Sequence, residues 1–141
     1  MKLIFKLVMI LVLAFPAFAQ SQERSKKHGE IEAIKAAFIT KKLDLTADEA
    51  KEFWPVYNAY QKELSALFRQ KRQNIRNADG NPSQRLSVDL DFDGQILNVK
   101  KNYRKEFEKI LPPQKVLTLY QAEREFREQL IKELRERRHN K

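Results

Sequence analysis

From Thr46 to about Asn77, apolar side chains recur at a spacing that only an α-helix can gather on one side. At about 100° per residue, Ala50, Phe53, Tyr57, Tyr60, Leu64, Leu67, Phe68 and Ile75 form one stripe. Thr46 reads as the N-cap of this helix, Glu49 as its reciprocal partner at the third position, and Asp48 as negative charge where the helix dipole favours it. Pro55 interrupts the run without interrupting the phase. It projects roughly 170° from the centre of the stripe, so its lost backbone bond falls on the solvent side. A continuous helix, convex at the proline and concave on its apolar face, is the expectation; the alternative is a helix that restarts at Pro55.

Three further helices are expected. "GEIEAIKAAFITKKL" from Gly29 places Ile31, Ile34, Ala37 and Phe38 at helical spacing, giving a short first helix to about Lys42. Asn77 to Arg85 carries two turn signals, Asp79-Gly80 and Asn81-Pro82, and is expected as a loop. A third helix is expected over roughly Asp89 to Ile110, with Phe92, Ile96, Val99, Tyr103, Phe107 and Ile110 on one face. Pro112-Pro113 ends it, and Pro113 suits the first position of a fourth helix. That helix carries Val116, Leu119, Tyr120, Phe126, Leu130 and Leu134 and frays near Arg138. Nothing alternates with period two, so the fold class is all-α, with one short and three long helices.

The first 19 residues, "MKLIFKLVMILVLAFPAFA", have Lys2 and Lys6, an apolar run and Ala17-Phe18-Ala19. This is the pattern of a secretory signal peptide cleaved after Ala19; a retained anchor is the alternative. No cysteine follows the run, which excludes a lipoprotein anchor. The chain left by cleavage, Gln20 to Lys141, is 122 residues long, and loss of the two lysines lowers its formal charge from +9 to +7. Residues 20–28 are expected as a polar disordered linker, 29–138 as a single helical domain and 139–141 as a frayed tail. With no cysteine anywhere, an exported fold must rest on packing alone.

The basic residues are clustered. Arg69, Arg72 and Arg76 lie at helical spacing on the flank of the apolar stripe, and no acidic residue occurs between Glu63 and Asp79. Lys100, Lys101, Arg104 and Lys105 form a second cluster, and Arg124, Arg127, Arg135, Arg137 and Arg138 a third, diluted by glutamates placed for intrahelical pairing. Such runs are commonly just solvated faces. A basic rim beside exposed apolar groups also suits acidic, partly unfolded chains, since charge speeds encounter and apolar contact holds.

Leu45-Thr46-Ala47-Asp48-Glu49 resembles the LTxxQ signature of the Spy/CpxP group of envelope proteins, with a weaker echo in Leu111-Pro112-Pro113-Gln114. The resemblance spans about Ile31 to Arg135 as an order of elements. "FWPVYNAY" and "LYQAEREFREQL" look like the branch of that group often labelled sensors of ECF-type sigma factors. Two departures stand out: Glu49 replaces the glutamine, and Pro112 replaces the threonine of the second motif, which loses its capping hydroxyl. The resemblance implies a thin, curved helical hairpin, periplasmic and dimeric, that binds unfolded clients without ATP on a concave basic-apolar surface. It also admits a regulatory accessory that binds a membrane-bound stress sensor or anti-sigma factor.

Other chemistries fit less well. "DLDFDG" (Asp89 to Gly94) opens like a calcium loop, but the twelfth position is Lys100 instead of a bidentate glutamate, and helix-start acids explain the same residues. The only histidines, His28 and His139, sit near the two ends, a poor ligand set for a transition metal. No Ser/His/Asp spacing, Gly-rich phosphate loop or paired carboxylates point to an enzyme. Export argues against nucleic acid, despite the charge. The expected client surface is therefore Arg69, Arg72, Arg76 and Arg104 with Phe68 and Tyr103 as apolar contacts, with no cofactor. Trp54, Tyr57, Tyr60, Phe107, Tyr120 and Phe126 are expected in the core.

Overall fold

The computed structural model describes residues 16–139, with side chains from residue 26. The expected signal peptide lies mostly outside the described residues, as do residues 140 and 141 of the expected tail. Four helices follow one another: α1 (Pro16–Leu43), α2 (Ala47–Asn77), α3 (Pro82–Glu108) and α4 (Pro113–His139). No strand occurs among the described residues, and the class is all-α. None of these helices is long and apolar enough to cross a membrane. The chain divides into two units, residues 1–39, which hold most of α1, and residues 40–141, which hold the rest.

Two helix starts differ from expectation. α1 is 28 residues long and includes residues 20–28, expected as disordered. Its Gln, Glu, Arg and Lys residues are strong helix formers, and Gly29 alone costs about 1 kcal/mol, too little to stop a helix. Its buried line also differs: Ile34 is 61% exposed, whereas Ile39 and Leu43 are buried. The third helix starts at Pro82, seven residues earlier than Asp89. Asn81 is its N-cap, accepting from the Gln84 N–H at 3.1 Å, and Pro82 takes the first position, where a missing N–H costs nothing. Only residues 78–81 remain as the turn, with Gly80 at φ +91° supplying the left-handed step.

α2 begins as expected. Thr46 Oγ1 accepts from the Glu49 N–H at 3.2 Å, and Glu49 Oε2 accepts from the Thr46 N–H at 3.0 Å, closing a capping box. The helix continues through Pro55, which is exposed, so the Lys51 carbonyl that loses its partner faces water. Pro112 occupies the N-cap position of α4. Its carbonyl accepts from the Lys115 and Val116 N–H groups at 2.9 and 3.2 Å, but it has no side-chain oxygen to cap with.

α2 and α3 pack antiparallel. Phe53 lies opposite Phe107 (ring centroids 5.6 Å apart) and Tyr60 opposite Tyr103 (5.2 Å), while Lys71 lies opposite Asp89 and Asp93. α4 covers one end of this pair. Phe53, Tyr60, Phe107 and Leu119 are fully buried there, with Tyr57, Leu111, Val116 and Ala122 beside them. Burying each such side chain contributes about 1.5–3 kcal/mol, which makes this aromatic block the main source of stability.

Candidate interaction surface

Polar side chains inside the stripes hold the helices in register. Glu123 projects from the apolar line of α4 and is only 9% exposed. Its carboxylate accepts from the Tyr57 hydroxyl at 3.1 Å, the Tyr60 hydroxyl at 3.3 Å and the Gln61 Nε2 at 2.8 Å, three donors from successive turns of α2. Burial, then the negative charge of Glu123, pushes the Tyr60 hydroxyl well above its ordinary pKa. The same two causes push Tyr120 up to about 12, and its hydroxyl donates to the Lys100 carbonyl of α3 at 2.7 Å.

A second polar tie joins the two motif segments. The Lys115 ammonium donates to Glu49 Oε2 at 2.6 Å and to the Asp44 carbonyl at 2.7 Å. Leu45 to Glu49 and Leu111 to Gln114 are thereby neighbours, and Lys115 stabilises the turn in which Asp44 adopts φ 48°. The hydrogen bond from Lys115, with that from the Thr46 N–H next, holds the Glu49 carboxyl below its ordinary 4.5. Of the motif residues, Leu111 is buried and Leu45 half-buried; Thr46, Pro112 and Pro113 are exposed, Thr46 acting through its capping hydroxyl and backbone N–H and the prolines through the backbone.

The expected client residues do not form one patch. Arg69, Arg72 and Arg76 are all exposed, and none makes an ion pair among the described residues. Measured from the buried line of α2, Arg72 stands about 90° round the helix, but Arg69 and Arg76 stand roughly 130–150° away, on the outer side and not on the flank. Phe68 is 42% exposed, one turn before Arg72. Arg104 is exposed on α3, 3.6 Å from Glu108. The antiparallel register puts it level with about residue 58, some 16–27 Å along the axis from the α2 arginines at 1.5 Å per residue. Tyr103 belongs to the packing: its half-buried ring lies against Tyr60 and Phe107, and burial followed by a hydrogen bond with Glu63 raises its pKa.

The tighter basic-apolar strip is on α4. Arg124, Arg127, Arg135 and Arg138 are exposed and, at about 100° per residue, fall within a sector of roughly 80°. Leu117, 51% exposed, and Ile131, 43% exposed, fall in the same sector. Glu125, Glu133 and Glu136 lie on the opposite side by the same arithmetic, with Glu128 at the edge. The raw sequence obscures this because arginine and glutamate alternate along it, and only the helical wheel separates them.

Asp89 and Asp93 also have a structural task. They lie one turn apart inside α3, and the Lys71 ammonium sits 2.7 and 2.6 Å from their oxygens. The calcium-loop and helix-start readings of this segment both give way to that pairing, because α3 runs straight through it. Among the described residues no group of three His, Asp or Glu side chains is placed to hold a metal ion. No family model, curated protein or solved structure matches the chain.

Proposed function

We propose that this protein is a periplasmic, ATP-independent binder of unfolded or misfolded polypeptides, acting in the manner of Spy/CpxP-like chaperones. The observation that carries the reading is the α4 strip: four exposed arginines interleaved with two exposed aliphatic side chains, segregated from the acids of the same helix. Cationic groups attract acidic chains over a Debye length, and adjacent Leu117 and Ile131 retain their apolar segments. Phe68 with Arg72 on α2 offers a smaller site of the same kind. A helical layer with little interior leaves such side chains exposed at little cost.

The purified protein, mixed with a denatured client at near-equimolar ratio and followed by light scattering, should delay aggregation of several unrelated proteins, less so as salt is added. Arg124→Glu, Arg127→Glu and Arg135→Glu together should abolish most of the protection with helix content unchanged. Arg69→Glu, Arg72→Glu and Arg76→Glu should have a smaller effect. Absence of any delay at low salt would refute the chaperone reading and leave a regulatory accessory, tight for one envelope sensor, in its place.

A further inference from the structure

The two broad faces of the α2–α3 pair differ in chemistry. One is turned to α4: Gln61 meets Glu123 there, and the Lys100 carbonyl meets Tyr120. At about 100° per residue, Arg72, Lys100 and Arg104 stand on that side, and Gln70, Gln95, Asn98 and Asn102 on the other. The other face carries a groove of about 450 Å³, and among the described residues no lysine or arginine lines it. Ala66, Leu67 and Val99 form its floor. Gln70 edges it on the α2 side, and Gln95, Asn98 and Asn102 on the α3 side. Glu63 closes one end, where its carboxylate accepts from the Tyr103 hydroxyl. A cleft of this volume is within the range of small-ligand sites.

The four carboxamides have no task within the chain. Each residue is exposed, and among the described residues none of these side chains is hydrogen-bonded. Asparagine is a poor helix former, yet Asn98 and Asn102 stand in the interior of α3, one turn apart and far from either cap. A face that need only meet water is ordinarily dressed with lysine and glutamate, as other faces of these helices are. A carboxamide offers donors and an acceptor without charge. With no cation in its lining the groove has nothing to hold a phosphate or carboxylate, and Glu63 repels both. An apolar partner would strip water from four amides and replace none of it. What the groove suits is an uncharged ligand that donates and accepts along its edges and has an apolar face for the floor.

We infer that this groove is a binding site for a neutral glycan chain. A pyranose ring is a slab with an apolar C–H face, which lies against Ala66, Leu67 and Val99, and hydroxyls that radiate toward the amides on both rims. Each hydroxyl both donates and accepts, as each carboxamide does. Asn98 and Asn102, about 6 Å apart along α3 at 1.5 Å per residue, reach successive groups of one chain. An extended peptide also presents N–H and C=O groups along its edges. Its alternate side chains, however, would point into a floor that Val99 and its neighbours fill. The site does not depend on the client-binding reading: it uses other residues and no ionic attraction, so salt should not weaken it.

The carboxamides report on the site directly. In proton–nitrogen correlation spectra of the purified protein, chitohexaose and maltohexaose are titrated separately, at low and at high salt. The side-chain amide signals of Gln70, Gln95, Asn98 and Asn102 should shift with at least one of them, equally at both salts, and those of Asn58 and Gln129 should not. The responding glycan tells whether acetamido or hydroxyl groups are read. Affinity should be about millimolar, as a few solvent-exposed hydrogen bonds provide. Asn98→Ala with Asn102→Ala should weaken binding about tenfold, each lost bond being worth a factor of about 2–10. The same change should raise the melting temperature, because alanine is the better helix former. No shift with either glycan at millimolar concentration overturns the site, as do shifts with a blocked Gly-Ser peptide and neither glycan. Unchanged affinity in the folded double variant overturns the role given to the asparagines.

Discussion

The two ends of the α2–α3 pair carry the same kind of stripe and treat it differently. At the end covered by α4, Phe53, Tyr57, Tyr60, Leu64, Ile96, Val99 and Phe107 are buried. At the other end only Ala78, in the turn, is buried; Phe68 and Leu86 are exposed, and Ile75 and Leu67 half-buried. There a lysine between two aspartates stands where the covered end has aromatic rings. Three helices enclose an interior and two do not, so the same periodicity yields a core in one place and a wetted surface in the other. The covered end supplies stability, and the open end and the outer faces are left for contact.

The largest test of this contrast is truncation in each half. Phe107→Ala should cost about 3–5 kcal/mol, while Phe68→Ala should change stability by about 0.5 kcal/mol, both read from urea midpoints at constant slope. Comparable losses would mean that the open end is covered after all. Next, Glu123→Ala strands two tyrosine hydroxyls and an amide and should cost about 1–3 kcal/mol, with Tyr57→Phe and Tyr60→Phe each costing less.

A smaller effect is expected at the open end. Lys71→Met leaves Asp89 and Asp93 adjacent and uncompensated, and should speed amide hydrogen exchange over residues 65–97 without changing it near Phe53. Uniform acceleration would mean that the two ends open together. Smallest is the pH effect at the motif. Because the folded pKa of Glu49 is lowered, its contribution is complete above its ordinary 4.5 and is lost as pH falls through the lowered value. The melting temperature of Glu49→Gln should therefore fall less than that of the wild type on acidification from pH 5 to pH 3. Parallel curves would show that the Lys115 tie contributes nothing.

Much of this was legible in the residues. Thr46 and Glu49, the stripe of α2 across Pro55, the break at Pro112 and the start at Pro113 all follow from local rules. Asn81-Pro82 held the same information, since a capping side chain before a proline marks a helix start as well as a turn. Glu123 left a trace too: it occupies an apolar-phase position between Leu119 and Phe126, opposite tyrosines whose hydroxyls need an acceptor once buried.

By itself the sequence determined where α2 starts, where α3 gives way to α4 and which side of α2 is apolar, because capping, proline breaks and periodicity act within a few residues. The tertiary structure decided which polar groups meet: Glu123 reaches Tyr57 across 66 residues of chain, and Lys115 reaches Glu49 across the same separation. It also decided which apolar side chains are covered. A helix sets the direction of a side chain about its own axis, but register against a distant helix sets what lies there.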